Sequence, residues 1–331
     1  GGLLALAVAV VIGGRAPATR RLAVAAAGLC TVIVVAMAPA NGALWARLHG
    51  TSPALIVHAE DATGVSLIKS EAYGLGTRGV VFVNGIGQSW IPYGNVHTVL
   101  GALPAFIHPA PRRAALIGLG SGDTLYALAG RPELTAIDSV EIIRPQLDTL
   151  HEWRDRSGYP ALGALLGDRR IAHVFGDGRI HVMKSAPGFD IIEADALRPG
   201  SAYSGNLYSV GYFELLRSRL ADGGLATTWA PTPRIRDTFA SVFPHVLAVG
   251  DIVIGSATPI AFDAGAVRAR LRVPAVQAHF GRGGIDIEAL IGPSLDRAVV
   301  VPPAEAAVLD DLNHDLFPRD EFAVPRRLER D

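Results

Sequence analysis

The sequence of 331 residues has one cysteine and few charged residues, and both shortages exclude classes of protein. A single thiol, Cys30, excludes disulfides within the chain and zinc sites built from several cysteines. Only 18% of the residues are charged, whereas 50% are hydrophobic, which excludes intrinsic disorder. The lack of a dense basic run argues against nucleic-acid binding.

The hydrophobic excess lies near the start of the chain, in two apolar runs. The first, 1–14, would extend about 21 Å as a helix, and because the sequence begins with glycine we interpret it as the tail of a cut spanning helix. The second, 22–39, has no charge and would reach about 27 Å, so it predicts a transmembrane helix. A signal peptide and a buried globular helix are the alternatives.

After residue 40 the pattern changes to short strands and turns, and later to alternating strands and helices. Three apolar runs within 53–93 are separated by turn residues and predict hairpins. From residue 113 onward, apolar strands alternate with amphipathic helices, which predicts an α/β fold with a parallel sheet covered on both faces. The predicted parts are membrane-spanning segments (1–39), a small β-stranded domain (51–95), an α/β domain (96–260) and a C-terminal extension (261–331).

Candidate ligand-binding residues follow the predicted strands, as expected for a sheet that binds ligands at its carboxyl ends. A glycine-rich turn begins at Gly118 and leads into a helix N-terminus, which lets a ligand approach the backbone. Glu141 ends the next strand, where an acidic residue can accept hydrogen bonds from both hydroxyls of a ribose. Asp177 lies between two glycines after the third strand and can reach an adenine amino group, with a ligand-free Asp-Gly turn as the alternative.

Asp195 ends the fourth strand beside a loop that contains proline and glycine. A carboxylate at this point lies where a reacting group would contact a cofactor. An aspartate that only caps the loop or the next helix is the alternative.

These motifs resemble the spermidine synthase (polyamine aminopropyltransferase) family from about residue 55 to 256. The residues that carry the resemblance are VFVNGIGQ at 81–88, GLGSG at 118–122, VEI at 140–142, GDGR at 176–179, DIIEAD at 190–195, PGSA at 199–202 and LY at 207–208. The run NHDLFPRDEF at 313–322 is similar to the C-terminal signature of the membrane-fused members, in which several spans precede the synthase-like domain.

The resemblance implies a methyltransferase-type Rossmann domain that uses decarboxylated S-adenosylmethionine or S-adenosylmethionine as co-substrate and an amine as acceptor. Asp195 would be the catalytic residue, orienting the amine and taking its proton. The implied cofactor-binding residues are Gln88, Gly118, Gly120, Ser121, Gly122, Glu141, Asp177 and Gly178. The implied substrate-binding residues are Asp123, Arg198 and Tyr208.

No metal is predicted, because the histidines have no metal-ligand spacing. We interpret four of them as surface or loop residues: His97, His108, His173 and His181.

Three departures from the family pattern concern amine binding. Ser121 and Arg198 stand where the family has aspartates, and Val96-His97-Thr98 replaces a Tyr-His-Glu run. A fixed cation at Arg198 predicts that putrescine is a poor acceptor. The alternatives to an aminopropyltransferase are an S-adenosylmethionine-dependent methyltransferase and a non-catalytic domain that senses nucleosides or polyamines, and Asp195 favours an enzyme.

The expected setting is a multi-pass protein of the cell membrane that contacts the lipid bilayer and binds no nucleic acid, and that could form a homodimer. Three arginines between the apolar runs outnumber Arg47 after them, which by the positive-inside tendency puts 40–331 outside the cytoplasm. Adenosyl donors are made in the cytosol. We adopt a cytoplasmic domain as the expectation.

Overall fold

The computed structural model describes residues 17–37, 39–195, 198–302 and 309–322. The chain divides into two compact units, Gly1–Ile56 and Val57–Asp331. The helices described in the first unit are α1 (Pro17–Met37) and α2 (Asn41–Leu48).

No single helix among the described residues is long and apolar enough to cross a membrane, so the single span predicted over 22–39 is not found there. Val24–Met37 and Asn41–Leu48 reach the required length and hydropathy only together, as a pair bent by 71°. The other predicted segment, 1–14, lies outside the described residues.

The second unit begins with a four-stranded sheet in the order β1-β2-β3-β4. Its strands are β1 (Ile56–Asp61), β2 (Gly64–Tyr73), β3 (Gly76–Val83) and β4 (Ile86–Ile91). β3 and β4 pair antiparallel through Asn84-Gly85, which both adopt positive φ (49° and 79°), as a tight hairpin turn requires. The three predicted runs, at 55–58, 64–70 and 79–84, did not include β4, which carries residues of the site described below.

An eight-stranded sheet follows, in the order β12-β10-β11-β9-β8-β5-β6-β7. Strands β5 to β9 pair parallel, and β9, β11, β10 and β12 pair antiparallel at one side. Its strands are β5 (Arg113–Ile117), β6 (Ala136–Glu141), β7 (Ile171–Phe175), β8 (Phe189–Ala194), β9 (Leu220–Trp229), β10 (His245–Val249), β11 (Ile252–Ser256) and β12 (Val299–Val301).

Helices cover both faces of this sheet, which confirms the predicted α/β Rossmann architecture behind a small β-sheet. They are α3 (Val96–Ile107), α4 (Asp123–Ala129), α5 (Pro145–Ser157), α6 (Pro160–Leu166), α7 (Gly178–Lys184), α8 (Gly205–Tyr208), α9 (Val210–Arg219), α10 (Pro233–Val242), α11 (Ala264–Leu271), α12 (Pro274–Gly281) and α13 (Ile287–Leu295). Alternate residues of β5 enter two separate cores, since Leu116 packs on one face and Ala115 and Ile117 on the other.

The segment predicted as a C-terminal extension completes the larger sheet. Leu271, Phe280 and Ile291 of α11 to α13 are buried in the same core as Leu116. β12 pairs with β10 at the edge of the sheet.

The small sheet packs closely on α5, which fixes it beside the ligand-binding edge of the larger sheet. A Cβ atom at Gly79 of β3 would lie 2.6 Å from the Trp153 ring, so only glycine permits this approach. The hydroxyls of Ser66 and Thr149, both buried, are 2.6 Å apart. β5 pairs with β6 on one side and with β8 on the other, so the loop after β5 lies where the chain reverses its direction across the sheet.

Candidate active site

One cleft of about 680 Å³ lies at the carboxyl ends of β5, β6 and β8, and the turn after β3 and strand β4 form its other wall. Ten of the predicted site residues line it: Gln88, Gly118, Gly120, Ser121, Asp123, Glu141, Asp177, Gly178, Asp195 and Arg198. Gly122 and Tyr208 do not belong to the lining.

The glycine turn after β5 is held from three sides. The Ser121 N–H donates to Ser89 Oγ at 2.9 Å, and the Tyr93 hydroxyl donates to the Ser121 carbonyl at 3.0 Å. Gln146 Nε2 donates to the Gly120 carbonyl at 2.6 Å. Gly122 has a packing role, because a Cβ there would lie 2.5 Å from the Leu165 side chain and its φ is 85°. The turn is therefore a rigid wall of the cleft.

Glu141 is buried at the end of β6 and faces the cleft. Its Oε2 accepts from the Leu119 N–H and its Oε1 from the Ile143 N–H, each at 2.8 Å. Burial raises the pKa of Glu141, although these backbone hydrogen bonds oppose the shift. The two bonds fix the carboxylate and use only half of the acceptor positions of its oxygens.

Asp177 is the N-cap of α7, with Oδ1 accepting from the Ile180 N–H at 2.9 Å. The aspartate therefore has a structural role beside its place in the cleft. A Cβ at Gly178 would lie 2.3 Å from Ile117 Cγ2, so glycine is required for α7 to approach the end of β5.

Asp195 forms a pair with His97. The interpretation of His97 as a surface or loop residue was therefore wrong. His97 Nδ1 lies 2.7 Å from Asp195 Oδ2, and the Thr124 hydroxyl donates to the same oxygen at 2.6 Å. His97 lies at the start of α3, where the Asn95 side chain caps the helix by accepting from the His97 N–H. Both side chains of the pair are about four-fifths buried, and both line the cleft.

The pair sets the ionisation of both partners. Burial alone would raise the pKa of Asp195, but the charge of His97 and the hydrogen bonds from His97 and Thr124 lower it below the usual range. Burial would likewise lower the pKa of His97, but Asp195 outweighs this and raises it. Each partner therefore favours the charged form of the other.

Asp123, at the start of α4, is a second acidic group on the same side of the cleft. Its Oδ1 accepts a short hydrogen bond from the Thr98 hydroxyl, and its Oδ2 is buried without a partner among the described residues. Burial raises the pKa of Asp123 to about 7, with the Asp195 charge contributing and the Thr98 bond and His97 opposing. The residue therefore holds a proton over a wide range of pH.

Arg198 and Tyr208 have different positions relative to the cleft. Arg198 is exposed and donates to the Gly87 carbonyl at 3.1 Å, so it bridges the loop after β8 and the β3–β4 hairpin. Tyr208 is buried, and burial together with the Asp195 charge raises its pKa. Tyr208 thus supports the site from behind the lining.

Comparison with known proteins identifies the domain. Residues 94–242 match the model of the spermine/spermidine synthase domain family. The chain is 27% identical over 245 residues to a polyamine aminopropyltransferase of Nitrosomonas europaea, covering 66% of this chain and 74% of that protein. It is 33% identical over 137 residues to putrescine N-methyltransferase 4 of Nicotiana tabacum, covering 41% and 32%.

The fold is shared with a crystal structure of spermidine synthase in complex with a transition-state analogue, at a TM-score of 0.55 and 19% identity. That likeness covers 72% of this chain and 88% of the other. The chain spans about half the length of the polyamine aminopropyltransferases of Bacillus species that it matches. The part of the chain from residue 94 to 242 is therefore similar to a spermine/spermidine synthase domain.

Proposed function

We propose that the cleft binds an adenosyl sulfonium of the S-adenosylmethionine type and transfers an alkyl group from it to a small amine. With a decarboxylated donor the group is aminopropyl. The observation that carries the proposal is that Glu141, Asp177 and Asp195, at or just beyond the ends of three strands, line one cleft of about 680 Å³. This volume suits a nucleoside and a short amine together.

Two features of the chain fit such a donor. Glu141 retains acceptor capacity for ribose hydroxyls, because the backbone N–H groups beside it occupy only part of the capacity of its two oxygens. Ser121 and Asp123 line the cleft, and each has a buried polar atom, Oγ and Oδ2 respectively, without a hydrogen-bond partner in the described part of the chain. Buried polar groups are normally paired, so these atoms fit the polar end of the donor.

The transfer is a displacement at the carbon bonded to sulfur. The amine lone pair forms the new C–N bond while the C–S bond breaks, and its electron pair stays on sulfur as a neutral thioether. The new ammonium group then loses one proton. Since the thioether of a sulfonium is already a good leaving group, the chain has only to position the two reactants and to bind the amine in its unprotonated form.

Asp195 has the geometry for orienting the amine. His97 and Thr124 both bind Oδ2, so Oδ1 is left to accept from an amine N–H. The lowered pKa of Asp195 makes its carboxylate a weak base at neutral pH, so a proton that it accepts passes on to water.

The charges beside Asp195 disfavour a diamine. The raised pKa of His97 favours a positive charge beside the carboxylate, and Arg198 adds a permanent positive charge at the cleft wall. We therefore propose that putrescine is a poor acceptor, and that an amine with a single cation, or one with a carboxylate that pairs with Arg198, is preferred.

Methyl transfer to an amine is the second candidate. It is supported by the 33% identity to putrescine N-methyltransferase 4, which exceeds the identity to the aminopropyltransferase of Nitrosomonas europaea. The same residues would hold the donor, and only the transferred carbon would differ.

The test incubates the full chain with S-adenosylmethionine or its decarboxylated form and a panel of amines, and identifies products by mass spectrometry. We expect Asp195→Asn to lose transfer while it still binds the nucleoside, and Glu141→Ala to lose nucleoside binding. Asp222→Asn, an exposed aspartate in β9, is the matched control. Nucleoside binding without transfer to any amine would instead indicate a sensing domain.

A further inference from the structure

The segment 198–209, here called loop 198–209, forms one wall of the cleft and consists of turns that lead into the one-turn helix α8. Arg198, Ser201, Tyr203 and Asn206 of this loop line the cleft. Tyr203 adopts φ 66°, in the left-handed region that large side chains rarely occupy. A bulky residue persists there only when its surroundings impose the conformation.

Glu321 supplies that restraint from a distant part of the sequence. Its Oε1 accepts from the Tyr203 N–H at 2.8 Å, and its Oε2 accepts from the Gly205 N–H at 3.2 Å. A Cβ at Gly205 would lie 2.2 Å from Pro318, so the two segments are in close contact. One carboxylate therefore binds two alternate amides of the strained turn.

Asp315, six residues earlier, holds the other end of the loop and the start of α7. It binds Arg179 through two parallel bonds of 2.8 Å and accepts a short bond from the Ser209 hydroxyl. Arg179 also donates to the Asn206 carbonyl at 3.3 Å. Asp315 thus connects the loop to the residue that follows the Asp177-Gly178 motif.

The segment that carries both acids is itself fixed to α10. Asp320 is buried and accepts from Arg234 at 2.6 Å and from Asn313 Nδ2 at 2.9 Å. Asn313 is also buried, and its N–H donates to Thr238 Oγ1 at 3.0 Å. The segment therefore has an anchor that is independent of the loop.

We propose that residues 311–321, here named the clamp segment, hold loop 198–209 against the cleft, with Glu321 as a positioning residue for the acceptor. The inference rests on the proposed function, in which Arg198 of this loop selects the acceptor. Loss of the Glu321 bonds releases the turn at Tyr203 but leaves Glu141 and the glycine turn in place. Acceptor use therefore depends on Glu321, and nucleoside binding does not.

The experiment compares Glu321→Ala, Glu321→Gln and the exposed control Glu214→Ala, all in the full chain. Amide hydrogen exchange of loop 198–209 should rise about tenfold or more in Glu321→Ala, because two charge-assisted bonds are lost. Glu321→Gln keeps one acceptor oxygen and should lie between it and the unmodified protein. The acceptor KM should rise from the unmodified protein to Glu321→Gln and further to Glu321→Ala. The nucleoside Kd of both variants should stay within roughly twofold of that of the unmodified protein.

Unchanged loop exchange in Glu321→Ala, or a loss of nucleoside affinity equal to the loss of acceptor use, would overturn the inference. If the unmodified protein alkylates no amine, the proposed function fails, and the exchange and nucleoside measurements still decide whether the clamp holds the loop.

Discussion

Replacing Asp123 by asparagine should remove one component of the pH dependence of stability. Asp123 is 1% exposed, and burial raises its pKa from 3.8 to about 7. Between these values the unfolded chain has released a proton that the folded chain keeps, so this group lowers the free energy of unfolding as the pH rises. Three pKa units correspond to at most about 4 kcal/mol.

Asparagine has nearly the same shape and cannot ionise, and its Oδ1 can still accept from Thr98. We therefore expect similar stability of the two proteins at pH 4 and higher stability of Asp123→Asn at pH 8, by a few kcal/mol. Urea unfolding at intervals between these pH values measures the difference. Glu141 and Glu193, whose pKa values burial also raises, are present in both proteins and cancel.

Asp222→Asn provides the control for a change of carboxylate to amide at an exposed site. A difference between Asp123→Asn and the unmodified protein that stays constant from pH 4 to 8 would refute a buried, protonated Asp123. So would a difference that grows toward low pH.

Two further predictions concern the acceptor side. His97→Gln keeps a hydrogen-bond donor near Asp195 but removes the charge, so the pKa of Asp195 should rise. The acid limb of the pH–rate profile should then move to higher pH. An unchanged profile would contradict the ion pair. Arg198→Asp should increase putrescine turnover relative to monoamines by roughly fivefold, as for an exposed charge contact, whereas efficient putrescine turnover by the unmodified protein would contradict the argument from Arg198.

The residues predicted at strand ends could be found from the sequence because parallel strands bring their carboxyl ends to one edge. Glu141, Asp177 and Asp195 each follow an apolar run that is recognisable by itself. Once a parallel sheet is inferred, the topology places these residues together without knowledge of side-chain packing.

The partner of Asp195 could not be found in this way. His97 is 98 positions away, and the contact depends on how closely α3 approaches α4. Gly101 permits that approach, since a Cβ there would lie 2.2 Å from the Thr124 carbonyl oxygen. A glycine inside an otherwise apolar helix was the available signal, but it does not say which surface the helix meets.

The first residue of strand β9 could not be predicted from the sequence either. The apolar run that can be recognised in the sequence begins at Leu225, whereas the strand begins at Leu220. Asp222, Gly223 and Gly224 interrupt the apolar pattern, and the pairing with β8 shifts register between Phe189 and Ile191. Irregular pairing hides the start of a strand from any pattern of period two.

The acidic residues of the site differ in charge state because their surroundings differ. Asp195 is ionised beside His97, whereas Asp123 retains its proton to about pH 7. When His97 is protonated, its charge offsets that of Asp195, and Arg198 adds a permanent positive charge at the cleft wall. A second cation on the acceptor is disfavoured there, and a cationic donor group close to Asp123 would lower the pKa of its carboxyl and displace its proton. We therefore expect donor binding at pH 6 to release protons, which calorimetry in two buffers of different ionisation enthalpy measures; equal apparent enthalpies in both buffers would contradict this assignment of charges.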